Sequence, residues 1–141
     1  MNLAIELVAA MALIIVVTVI HGTGIVFMDK LFRHEARELR KQKLARREFG
    51  VMVPMALCLF GLHSIEILVF GGFYLATGEA QSIREALYHS ALAYTTMGVV
   101  EGGAIQWPMV TAFEGLAGFL LIGWSAAVFV TDMDKVLRGR S

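Results

Sequence analysis

The sequence predicts an all-α integral membrane protein, with three transmembrane helices and a short re-entrant helix and loop between the second and third. Three observations predict it. Apolar residues make up 57% of the 141-residue chain, and the mean hydropathy is +0.70, too apolar for a soluble domain of this size. Three apolar runs each reach the roughly 20 residues that cross a bilayer core. The formal net charge is zero, yet eight of the 12 Lys and Arg residues crowd between Lys30 and Arg47. The length allows one domain. With no global basic footprint, nucleic acid is excluded as a partner.

The first span, Leu7 to Met28, is an apolar run interrupted by His21 and two glycines. No Lys or Arg precedes it, and it outruns the core of a signal peptide, so residues 1–28 read as a retained helix. It carries no Lys or Arg and is no voltage sensor.

Residues 29–49 are charged and rich in good helix formers. Leu31, Phe32, Ala36, Leu39 and Phe49 fall on one side, opposite Arg37, Lys41 and Arg47. Two readings fit. One is a cytoplasmic interfacial helix, with 30–47 held by anionic headgroups at about 1 kcal/mol per basic residue. The other is a solvated extension of the first span.

The unit from 50 to 132 holds the second span, Val51 to Ala76, and the third, Pro108 to Thr131; a short tail follows at 133–141. Pro54 is expected in the first turn of the second span, and Pro108 opens the third, where a missing N–H costs little. Tyr74 and Trp107 suit an aromatic belt, and the basic clusters put 30–47 and the tail inside, with the N-terminus and 77–107 outside. The single cysteine, Cys58, reads as a small buried hydrophobe.

Ser82 to Tyr94 is too short to span. Ser82-x-x-Glu85 has the form of a capping box, so a helix starts there. Leu87, Ala91 and Tyr94 share one face, His89 and Ala93 another. A dozen helical residues followed by polar backbone make a re-entrant segment, tolerated in lipid only where protein or a water-filled cavity surrounds it.

The loop after it reads Thr95-Thr96-Met97-Gly98-Val99-Val100-Glu101. Carbonyls following a Thr can replace the hydration shell of a cation. With Glu85-Ala86-Leu87-Tyr88-His89-Ser90 before it and Phe113-Glu114-Gly115-Leu116-Ala117-Gly118 after it, the tract resembles the potassium-channel pore domain. The resemblance covers Val51 to Thr131 and leaves the first span outside. It implies an outer helix at 51–76, a pore helix at 82–94, a filter-like loop at 95–103 and an inner helix at 108–131. It further implies a homotetramer, a multi-pass protein of a bacterial inner membrane, and an ion path along Thr95, Thr96, Met97, Gly98, Val99 and Val100. K⁺ or Na⁺ is then the bound ion at Thr96, Met97 and Gly98, with no other cofactor.

The family pattern is Thr-Val-Gly-Tyr-Gly-Asp, whereas this chain has Thr96-Met97-Gly98-Val99-Val100-Glu101. Val100 stands where the family backbone needs a positive-φ glycine, a cost of order 1–3 kcal/mol per subunit. Inner sites near Thr96 are expected to survive and outer sites to be lost or widened, giving weak potassium selectivity or none. Glu101 and Glu79 either concentrate cations at the outer mouth or are ordinary loop acids.

His63 and Glu66 share a face of the second span, as a structural pair, part of a proton-sensitive gate or metal ligands. Glu114 is expected to support the filter from behind, and His89 to be packed. Gly115, Gly118 and Gly123 permit close helix packing; by the resemblance, Gly118 and Gly123 are also hinge candidates. Trp124 either lines a constriction or faces lipid. Two other functions compete with a channel. One is a non-conducting pore-like scaffold or regulatory subunit, favoured by the Val99-Val100 pair. The other is an enzyme or metal carrier using His63, Glu66, His89 and Glu114, though no His-x-x-His or Cys pair supports a metal and no nucleophile–base pair an enzyme.

Overall fold

Apolar composition this high leaves the backbone little choice in lipid but to satisfy its own hydrogen bonds, which helices do. The computed structural model describes residues 2–38, 44–98 and 106–138, with side chains placed for 2–32, 49–98 and 106–134. Four helices follow in order: α1 Leu3–Glu38, α2 Leu44–Ala76, α3 Ile83–Tyr94 and α4 Pro108–Arg138. There is no strand among the described residues. The stretches Leu3–Phe32, Phe49–Ala76 and Pro108–Asp134 are long and apolar enough to cross a membrane. The chain is a multi-pass membrane protein.

Asn2 starts α1, its side-chain oxygen accepting the Ala4 N–H at 3.0 Å. The helix then runs unbroken past the first span to Glu38. The basic segment therefore begins as the continuation of α1, and its last residues, from Leu44, are the start of α2. The side chains of Arg33 to Arg47 lie outside the described set.

Pro54 is not in a first turn. It lies eleven residues into α2, because that helix begins at Leu44, seven residues before the expected start. There it leaves the Gly50 carbonyl without its intrahelical donor. Pro108 does open α4, where its missing N–H removes nothing the helix needs.

Ser82 caps α3, its hydroxyl accepting the Glu85 N–H at 3.2 Å. Glu85 reaches back one residue further than a standard capping box, accepting from the Gln81 N–H at 2.8 Å. The buried face of α3 is Ala86, Ser90, Ala93 and Tyr94, drawing Tyr94 from one of the two faces read in the sequence and Ala93 from the other.

Glu6 of α1 is buried and accepts the Met109 N–H in the first turn of α4 at 3.2 Å. A carboxylate there favours the positive end of the helix dipole. Glu79, beyond the end of α2, accepts the Gln106 N–H at 3.0 and 3.1 Å. The start of α1, the end of α2 and the start of α4 therefore share one end of the bundle. One apolar cluster there gathers Ala10, Val17, Phe70, Tyr74, Val110 and Leu121; a second, around Met28, Phe32, Met55 and Met133, lies toward the charged end. Cys58 is exposed on α2, not buried. A lipid-facing thiol costs no more than a core one, so an apolar setting alone does not locate it.

Candidate functional site

Short helices need more than backbone bonds to hold position, and α3 is fastened by two buried polar networks. The first joins α3 to α2 and α4. Tyr74 donates from α2 to Glu114 Oε2 at 2.6 Å, and its oxygen lies 3.2 Å from Thr111 Oγ1. Ser90 of α3 carries one hydroxyl hydrogen and faces two acceptors, Glu114 Oε1 at 2.5 Å and the Ile67 carbonyl at 2.9 Å. Glu114 and Ser90 are fully buried, so these bonds replace water that neither group can reach. His89 meets Tyr74 edge to face at 4.6 Å between centroids, with Nε2 3.4 Å from Thr111. Burial pushes the His89 pKa below the usual histidine value, against the nearby Glu79 and Glu85 carboxylates that raise it. Tyr74 is thus a core hydrogen-bond donor, not a belt residue at the interface.

The second network lies at the other end of α3 and gathers side chains from every helix. Glu66 of α2 is fully buried. His21 Nδ1 of α1 lies 2.8 Å from its Oε1, and His63 Nδ1 lies 3.0 Å from its Oε2. Tyr94, the last residue of α3, donates to Glu66 Oε2, and its oxygen is 2.9 Å from His63 Nδ1. Ser125 of α4 lies 3.4 Å from His21 Nε2. Trp124 covers the same imidazole with ring centroids 5.2 Å apart. It packs on the polar network with one side, while 43% of its surface stays exposed.

Beyond Tyr94 the chain closes the helix in a Schellman motif. The Met97 N–H bonds to the Leu92 carbonyl and the Thr96 N–H to the Ala93 carbonyl, both at 2.9 Å. The left-handed position such a motif needs falls on Thr96, with φ 59°, and Gly98 follows with φ 106°. A β-branched residue in that region is a genuine backbone outlier. Thr95, Thr96, Met97 and Gly98 are exposed in the single chain, Met97 at 77%. Thr96 and Gly98 border an open groove of about 660 Å³ against α4, lined there by Thr111, Ala112, Gly115, Leu116 and Phe119.

Gly118 and Gly115 let α4 approach the end of α3. A Cβ at Gly118 would strike the Tyr94 carbonyl, and one at Gly115 would lie 3.1 Å from the Ala93 carbonyl. A Cβ at Gly123 would meet nothing within 4 Å. Of the residues singled out in the sequence, His63 and Glu66 thus join one network and Glu114 the other. Thr96 and Gly98 line the groove, Thr95 and Met97 are exposed beside them, and Val99, Val100 and Glu101 lie outside the described residues. Sequence reasoning missed His21, Tyr94, Ser90 and Thr111. The available signal was His21 itself, an ionisable residue inside an apolar span. No family model, curated protein or solved structure matches the chain.

Proposed function

We propose that the chain is the pore-forming subunit of a homotetrameric, potassium-channel-like cation channel with an atypical filter, weakly selective for potassium or unselective. One observation carries this reading. A 12-residue helix, too short to span, is wedged between α2 and α4 and delivers Thr96 and Gly98 to an open groove beside α4. Two buried networks and two glycine contacts hold it there. A helix aimed this way presents its partial negative charge to a cation at its C-terminal end. One such loop cannot encircle an ion, so closed symmetry completes the ring.

The test is purified protein in liposomes, with K⁺ and Na⁺ flux measured separately and subunit number by native mass. Cation flux through a tetramer with little K⁺ over Na⁺ preference is expected. Strong potassium preference overturns the selectivity part. A tetramer without flux overturns conduction and leaves a pore-like scaffold.

A further inference from the structure

His21 of α1 and His63 of α2 both meet the buried Glu66 carboxylate, and ionisable groups inside a membrane are rare and mark functional sites. We propose that His21, His63 and Glu66 form a binding site for a divalent transition-metal ion of the zinc class.

Chemistry selects the ion. Two imidazole nitrogens and a carboxylate oxygen suit zinc and its neighbours, whereas magnesium and calcium want oxygen ligands alone. Geometry fits as well. One nitrogen of His21, one nitrogen of His63 and a Glu66 carboxylate oxygen all lie within 4.8 Å of one another. A tetrahedral centre with bonds near 2.0–2.1 Å sets its ligand atoms about 3.3 Å apart. The 2.8 Å contact from His21 and the 3.0 Å contact from His63 run to different Glu66 oxygens, Oε1 and Oε2, and open by a few tenths of an ångström. The ligand atoms, now up to 4.8 Å apart, draw in toward the tetrahedral spacing by rotation of the three side chains.

Proton bookkeeping closes without a co-reactant. A neutral imidazole that now donates through Nδ1 moves its proton to Nε2 and offers the Nδ1 lone pair to the metal. His21 Nε2–H then points to Ser125 Oγ, already 3.4 Å away. A metal-bound histidine ordinarily anchors its second nitrogen in this manner. Glu66 contributes the negative charge that offsets part of the cation's. The fourth corner is where the Tyr94 hydroxyl stands, bonded to Glu66 and 2.9 Å from His63. It serves there either as a ligand or as the anchor of a bound water. The His63 side chain is 17% exposed, which leaves a way in.

Metal binding also competes with Tyr94 for Glu66 Oε2. Tyr94 is the residue from which the Thr95–Gly98 turn departs, so occupancy reaches that turn through a single side chain. The metal site itself rests on the His–His–Glu geometry and not on the channel reading.

The experiment uses the full chain in nanodiscs, stripped with a chelator and titrated with Zn²⁺, then with Co²⁺ as a spectroscopic substitute. One metal per chain is expected, with the intense visible absorption of four-coordinate cobalt and quenching of Trp124 fluorescence that W124F removes. Excess Mg²⁺ or Ca²⁺ should not displace it. H21Q and H63Q should each weaken Zn²⁺ binding by about 100-fold or more, with melting curves recorded for both. Wild-type protein that binds neither ion overturns the proposal whatever the variants do. So does binding that survives in both folded variants, which would place the metal elsewhere. Ion flux is not a readout here, so a failed metal titration leaves the channel reading standing, and the reverse.

Discussion

Tyr74 of α2 donates a 2.6 Å hydrogen bond to Glu114 of α4, joining two spanning helices through a buried carboxylate. The other oxygen of that carboxylate meets Ser90 of α3, so one side chain ties three helices. Its placement explains how a 12-residue helix keeps a fixed position without spanning anything.

Removing that carboxylate should therefore be costly. Glu114→Ala opens a void and removes the shared acceptor, leaving Tyr74 with Thr111 Oγ1 and Ser90 with the Ile67 carbonyl; each hydrogen bond lost costs about 0.5–1.5 kcal/mol. Glu114→Gln keeps the shape and one acceptor, and should lose less. Thermal melts of the purified protein, compared in one detergent, check the order wild type, Gln, Ala.

The glycines of α4 should separate cleanly. Gly118→Ala drives a methyl group into the Tyr94 carbonyl, a backbone atom that cannot swing aside. Overpacking of this kind costs about 1–3 kcal/mol. Gly123→Ala meets nothing within 4 Å. Ala is also the better helix former by about 1 kcal/mol, so this variant should melt no lower than wild type. Equal melting of the two variants would mean that α4 does not approach α3 as described.

Tyr94→Phe deletes the hydroxyl that reaches Glu66 and His63 while keeping the ring. Glu66 retains two imidazole neighbours, so the loss should be about 1 kcal/mol, that of one hydrogen bond. Hydrogen exchange localises it. Amides at the end of α3 and the start of the following turn should exchange faster, with α1 unchanged.

Thr96 has the backbone conformation of a glycine. Left-handed φ costs an L-residue roughly 1–2 kcal/mol, so Thr96→Gly should stabilise the fold. The gain is reduced by the freedom glycine recovers in the unfolded chain. Gly98→Ala, at φ 106°, should do the opposite. If conduction is the function, Thr96→Gly should change flux while raising the melting temperature. A strained residue kept at such a site is where function is expected to oppose stability.

Much of the architecture was legible because it follows from local rules. Three apolar runs long enough for lipid became three spanning helices, Ser82 capped α3 and Pro108 opened α4. Pro54 misled because a proline suggests a helix start, yet α2 had already begun with the basic residues before it. Cys58 and Tyr74 misled for a different reason. In a membrane chain the lipid-facing and core-facing sides are equally apolar, so hydropathy finds a span without saying which face turns inward. Only polar residues break that symmetry, and they do so through partners distant in the chain.

The sequence by itself determined three crossings, a short capped helix between the second and third, and a Thr-Thr-x-Gly turn after it. Tertiary structure alone decided that His21 meets Glu66 across 45 residues, that Glu114 takes Tyr74 and Ser90 as partners, and that Gly118 receives the end of α3. Helix formation needs only hydrogen bonds between residues four apart and an apolar length to match the bilayer. Pairing buried polar groups depends on how those helices rotate against one another, which no run of neighbouring residues encodes.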